Sequence, residues 1–283
     1  MAAAGEKRSK ARMKRERTMR FTVVCIAAAS VAVIVCILTG SPVLRAAAVI
    51  AAGLAAAGYG LSVYLGGKAF SDAERTLGEE PFSKRSAELV NARLMNEKDS
   101  RKRALLRDLG FAAKLYDGDF VSAFRFLYRD EELFSADRGF ELIYLSDLIA
   151  YYVLMGSTTG ATEYSEEAYR SFVRIFKEGG YKGRYDMMQR ALAVEMYSAY
   201  HHEEWAGCAE LALWCADEAG DGKGLAAAQR TAALLFAAEA ECSLGNADKA
   251  RALCGRAAEE APTRYLSDRA ESLMKKIKML SGE

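Results

Sequence analysis

Residues 238–262 read AEAECSLGNADKARALCGRAAEEAP. Two alanine-rich helical stretches flank Gly245-Asn246-Ala247, and Pro262 stands where the second must end, since proline cannot continue a helix interior. The segment is therefore a helical hairpin, 224 to 244 paired with 247 to 260. Working outward, the same arrangement recurs. Polar turns at Gly118-Asp119-Phe120, Thr162-Glu163-Tyr164 and Glu203-Glu204-Trp205 divide the chain into the pairs 105 to 116 with 119 to 129, 137 to 155 with 163 to 178, and 185 to 201 with 203 to 219. A closing helix follows from about Tyr265 to Leu280. From Phe120 to Tyr164 is 44 residues, from Tyr164 to Trp205 is 41, and from Trp205 to Ala247 is 42. A fixed period in this range marks stacked hairpins, each unable to bury its apolar face alone. No stretch alternates strictly between apolar and polar residues, and Pro81 and Pro262 fall at helix edges. The fold class is all-α.

The last hairpin resembles a tetratricopeptide repeat. Ala238, Gly245, Ala250, Ala257 and Pro262 stand at the spacing that family uses for its small packing residues, turn glycine and terminal proline. LYDGDFVSAFRFL echoes the same turn through Gly118, Asp119, Phe120 and Ala123. The match is specific over about 25 residues and suggestive over about 175, and a period near 42 exceeds the family's 34. The resemblance implies an α-solenoid of about four helix pairs plus a capping helix, with the first helix of each pair lining a concave groove for a peptide or protein. On that face would stand Tyr144, Asp147 and Tyr151 in the second pair, Arg190, Tyr197, Tyr200 and His201 in the third, and Leu235 and Glu239 in the fourth. Tyrosines suit an interface because they are broad, fairly rigid and tipped by a hydroxyl. Ordinary packing between repeats is the competing use of the same residues. The Lys and Asn clamp with which some family members hold acidic C-terminal tails is absent, because Leu235 and Glu239 occupy those places.

Upstream, two apolar runs stand back to back, Phe21 to Leu38 and Val43 to Leu65. The first holds no charge, and 18 helical residues cover roughly 27 Å, close to the hydrocarbon thickness of a bilayer. The second carries Arg45 at its start, where a long side chain reaches the headgroups. Thr39 to Pro42 suffice only to reverse the chain, so the pair predicts a two-helix transmembrane hairpin. A signal peptide fits less well, because a second span follows at once, and Val33-Ile34-Val35-Cys36 only loosely resembles a lipobox. Small residues four apart, at Ala52, Ala56 and Gly60 and at Gly53 and Ala57, would admit a neighbouring helix or simply pack within the hairpin.

Charge sets the orientation. Residues 1 to 20 carry eight Lys or Arg against Glu6 and Glu16, which keeps the tail in the cytoplasm, and two crossings return the rest to the same side. Anionic lipid is the natural neighbour of that tail. It has no aromatic residue before Phe21, so base stacking and nucleic-acid binding are not expected. With the tail and Arg45 set aside, 30 of the 39 basic and 36 of the 38 acidic residues remain, and the larger part is no polyanion binder. The organisation expected is thus a basic tail at 1–20, a hairpin at 21–66, a charged juxtamembrane helical linker at 67–103 and the solenoid at 104–283.

Constellations that would carry catalysis are thin. His201 and His202 are the only histidines, and adjacent helical positions diverge by about 100°, so they cannot chelate one ion as an i, i+4 pair could. The six cysteines form no Cys-x-x-Cys pair or zinc-ligand spacing and fit a reduced compartment, the four downstream ones as small apolar packing residues. Gly179-Gly180 and the glycines at 220, 222 and 224 lack a preceding strand and read as connectors rather than a phosphate loop. Glu166-Glu167 and Glu259-Glu260 read as solvated helix surface. No metal, no cofactor and no enzyme activity is expected. The expectation is a membrane-tethered, cytoplasmic helical-repeat scaffold or adaptor that binds a protein or peptide; the alternative is a structural or accessory subunit of an envelope or transport assembly in which the hairpin packs against other membrane proteins.

Overall fold

A computed structural model describes residues 68, 70–76, 78–156, 159–179, 185–220 and 222–281. Two compact units divide the chain, Met1–Asp72 and Ala73–Glu283. The expected tail and hairpin at residues 1–66 lie outside the described residues. Among the described residues, no helix is long and apolar enough to cross a membrane.

The second unit is built of helices, and no strand occurs among the described residues: α1 (Lys84–Asn96), α2 (Ser100–Tyr116), α3 (Phe120–Phe126), α4 (Glu131–Ala136), α5 (Arg138–Met155), α6 (Thr159–Glu178), α7 (Tyr185–His201), α8 (Trp205–Ala219), α9 (Leu225–Ser243), α10 (Ala247–Glu260) and α11 (Arg264–Ser281). The first five begin with a side chain that satisfies an orphan backbone N–H. Ser83 accepts from Ser86, Asp99 from Arg101, Asp119 from Ser122, Asp130 from Leu133 and Asp137 from Gly139, at 3.0–3.1 Å. Caps of this type are worth about 1 kcal/mol each. They explain why Asp130 and Asp137 bracket the short α4, which the expected connector between the first two pairs did not contain.

Helices pack in successive pairs, α2 with α3, α5 with α6, α7 with α8 and α9 with α10, with α11 laid on α10 and α9. The arrangement is compatible with a helical repeat. Part of the expected linker also joins the fold: α1 packs on α2 and buries Val90.

The pair turns at 118, 203 and 245 share one backbone pattern. At each, a residue with positive φ donates to the carbonyl three back and the next residue donates to the carbonyl five before it: Gly118 to Leu115 and Asp119 to Lys114, Glu203 to Tyr200 and Glu204 to Ala199, Gly245 to Cys242 and Asn246 to Glu241. These 6→1 and associated bonds close helix C-termini and favour glycine at the left-handed position. Glu203, at φ 58°, is the exception. Gly118 carries a second constraint, because a Cβ there would lie 2.8 Å from the Tyr265 ring. Thermal unfolding should separate the two positions. Gly118→Ala is expected to cost about 2 kcal/mol, through strain and the displaced ring, whereas Glu203→Gly should stabilise by up to about 1 kcal/mol. Equal effects of the two substitutions would refute the shared-turn reading.

α11 brings the far end of the chain back to the first pair. Thr263 Oγ1 donates to the Tyr116 carbonyl at 2.7 Å, and Tyr265 packs its ring edge-on against Phe120 at 5.6 Å. The first helices of the pairs also meet one another: α2 packs on α5 and α9, and α5 on α7. Between α7 and α9 the link is aromatic, with Tyr197 and Tyr200 edge-on to Phe236 at 5.5 and 4.8 Å. Several residues expected on a concave groove line a partly open cavity at this junction.

Candidate functional site

That cavity measures about 310 Å³ and is walled by α2, α5, α7, α8 and α9. Its apolar lining includes Phe111, Leu115 and Val194, all buried, and exposed Glu218 and Gln229 lie at the rim. Such a volume is at the lower end of small-molecule pockets.

Three helices converge their charges on its wall. Arg190 Nη2 donates to Asp108 Oδ2 at 2.6 Å, and Nη1 donates to Asp147 Oδ1 at 3.1 Å and to Ser146 Oγ at 2.9 Å. Ser146 passes its own proton to the Ile143 carbonyl at 2.8 Å. One guanidinium on α7 thus clamps a carboxylate from α2 and another from α5. Planar, multidentate pairing of this kind suits arginine and not lysine. The side chains of Arg190, Asp108 and Asp147 retain 26%, 16% and 12% exposure, facing a cavity rather than bulk water.

Two acids share one base, and the consequence falls on Asp147. Burial raises its carboxyl well above the ordinary range and the neighbouring Asp108 raises it further, while Arg190 pulls it down. For Arg190 burial opposes the charge, yet Asp108 and Asp147 together hold the guanidinium above its usual value. The cluster thus sets two carboxyl groups against one guanidinium, and burial with the like-charged neighbour favours the protonated form of Asp147. Beside it, burial pushes Tyr116 up to about 12 and, with the neighbouring Tyr116, Tyr197 well above its usual value. Both phenols are neutral donors and acceptors here.

The expected groove residues fall into two sets. Asp147 and Arg190 meet at the cavity with Tyr197, which is buried. The others do not join them. Tyr144 is half-buried against Phe134 at 5.7 Å, and Tyr151 is buried among Phe120 and Phe124. Tyr200 packs on Phe236 and Trp205, and burial and the neighbouring Glu239 raise its hydroxyl. Glu239 turns to α11, with Arg269 at 3.7 Å and Lys276 at 3.8 Å. His201 lies against His202, whose Nε2 stands 2.8 Å from Glu166, so the histidine pair ties the end of α7 to α6.

Asp108, Ser146 and Tyr116 escaped the sequence reading. A signal existed in Asp108: it stands on the stripe Ala104, Phe111, Ala112, Leu115, where an acid interrupts an otherwise apolar helix face. Among the described residues no group of three or more His, Cys, Asp or Glu could hold a metal ion. Cys208 and Cys254 are buried, and burial raises Cys208 to about 12 and Cys215 and Cys254 to about 11, which makes them poor nucleophiles at neutral pH. Searches of protein-family models, curated proteins and solved structures find no match to this chain.

Proposed function

We propose that this chain is a tetratricopeptide-like helical-repeat scaffold, held at the cytoplasmic face of a membrane by the hairpin at 21–66, that captures a protein or peptide partner. Support for the tether comes from the two apolar runs and the basic tail. The observation that carries partner capture is a strip of rings on the outside of the second unit. Phe124 on α3 lies 5.5 Å from Tyr151, Tyr151 lies 5.6 Å from Tyr152, and Tyr152 stacks on Tyr164 at 6.1 Å. Phe124 and Tyr164 are 53% and 61% exposed, and Val121 beside them is 71% exposed. Tyr151 is buried beneath the strip and Tyr152 half-buried, so they anchor the exposed Phe124 and Tyr164 through ring contacts; exposed aromatic rings held in this way are costly in water and typical of interaction sites.

Capture therefore belongs to this outer strip, and substitution of buried Tyr197 would report on packing instead. A photo-crosslinking residue at Val121 in the full chain in cells should trap a discrete partner band. Phe124→Ser with Tyr164→Ser should reduce capture at least about tenfold, because aromatic anchors each contribute on the order of 2 kcal/mol, while the melting temperature stays near the parent's. An unchanged band in the double variant, or no band at all from Val121, would sink the reading.

A further inference from the structure

The cavity holds two carboxylates against one guanidinium; the rest of its lining is mainly apolar, with the Tyr116 and Tyr197 phenols inside and Gln189, Glu218 and Gln229 toward the rim. We propose that it is a binding site for a small organic cation, an alkylammonium or guanidinium group on a short apolar stem, with Asp108 and Asp147 as its counter-charge. This goes beyond partner capture at the outer strip and does not depend on it.

A buried cluster tolerates two carboxylates only if two positive charges, or one and a proton, accompany them. Arg190 supplies one, which leaves one of the two carboxylates without a counter-charge; burial and Asp108 hold Asp147 above the ordinary carboxyl range. An entering cation supplies the missing charge, and any proton that Asp147 carries leaves to solvent as that charge arrives. An anion would meet the opposite balance, because Arg190 is already committed to both acids and to Ser146. A neutral ligand would gain the apolar wall but not the charge.

The groups that surround Asp147 leave this balance intact. From α2 it faces Asp108, Arg107 and Tyr116, and from α7 Arg190 and Tyr197. Arg107 is engaged elsewhere, its guanidinium 4.2 Å over the Tyr128 ring and attracted to Asp130. On α5 itself the neighbour is Tyr144, while α3 and α4 present Phe126, Leu133 and Phe134. Cys215 and Glu218 come from α8 at the far wall and the rim, and no described side chain of α6 lines either cavity that Asp147 faces. Gln189, Glu218 and Gln229 mark the entrance.

Isothermal titration of the full chain in detergent micelles with butylammonium tests the site, with agmatine as the guanidinium probe and 1-butanol and butyrate as controls. Butylammonium or agmatine should bind, the controls at least about tenfold more weakly. Titrations in buffers of different ionisation heat should show release of up to one proton. Affinity should rise by up to about tenfold per pH unit while Asp147 is protonated in the unbound protein, then level off. Asp147→Asn should abolish both binding and proton release. Ala193→Leu, which fills the cavity from α7, should abolish binding and keeps the test valid should the first variant misfold. N-acetyl-lysine amide and a lysine-containing peptide distinguish the source: tighter binding of the peptide assigns the cation to a partner's side chain, tighter binding of the free amines to a metabolite-sized ligand. Butanol binding as well as butylammonium, binding without proton release, undiminished binding to folded Ala193→Leu, or no binding by either cation at millimolar concentration would each overturn the proposal.

Discussion

Arg190→Met should lower the stability of the second unit by about 3–5 kcal/mol at neutral pH, the usual cost of leaving buried carboxylates without their partner. For a unit of this size each kcal/mol shifts the melting temperature by about 2–4 °C, so a fall of roughly 10 °C is expected in a thermal scan. The mechanism is specific. Methionine replaces most of the stem volume, so the loss comes from Asp108 and Asp147 rather than from a void. Asp108→Asn with Asp147→Asn in the same chain should recover most of the stability, since neutral amides no longer repel.

The pH dependence gives the sign. In Arg190→Met the Asp147 carboxyl, already raised by burial and by Asp108, loses the cation that pulls it down and titrates further above its unfolded value near 3.9. A group whose folded pKa is raised contributes stability that is present at low pH and lost as pH rises through the folded value. The variant should therefore approach the parent near pH 4 and fall away progressively toward pH 8. The parent shows a weaker form of the same slope, since Asp147 is already raised by burial and by Asp108. A variant whose deficit is constant between pH 4 and pH 8, or is largest in acid, would show that the cluster does not hold the charges assigned to it.

The helix pairs were legible because the signals that define them are local. Turn residues at 118, 203 and 245 and apolar periodicity of 3.6 depend on neighbours within a few positions, and the observed helices α5, α7, α9 and α10 start and stop within about a residue of expectation. What the sequence did not reveal is how the pairs close. Thr263 meets Tyr116 across 147 positions, and nothing local in either residue announces that contact. The consequence reaches the candidate site: Tyr197, Asp147 and Arg190 sit on the helix face expected, and that face lines a partly open cavity walled by five helices. Periodicity tells which residues point inward; it is silent on whether "inward" is a groove or an interior. The exposed rings Phe124 and Tyr164 were missed for a related reason, since they come from separate helices and meet only through the packing of Tyr151 and Tyr152.

The closure itself can be weighed at Phe236. This ring is fully buried in α9, with Tyr197 and Tyr200 of α7 edge-on against it and the Arg269 guanidinium of α11 4.9 Å over its face. It is the point where three helices from three successive segments share one contact. Phe236→Ala should cost about 3–5 kcal/mol through lost burial and the cavity left behind, including the pairwise ring terms of about 0.5–1.5 kcal/mol. A fall of roughly 10 °C in melting temperature is again expected. Unlike Arg190→Met, it should be independent of pH between 4 and 8, since no titrating group is orphaned. Phe236→Leu keeps much of the volume and none of the ring geometry, and should cost about 1–2 kcal/mol. The contrast decides what holds α7 to α9. If alanine and leucine cost the same, the edge-on rings carry the contact and volume does not; if neither shifts the melting temperature by more than about 2 °C, α7, α9 and α11 do not share this core, and the interior cavity would open into the groove that a repeat array would otherwise present.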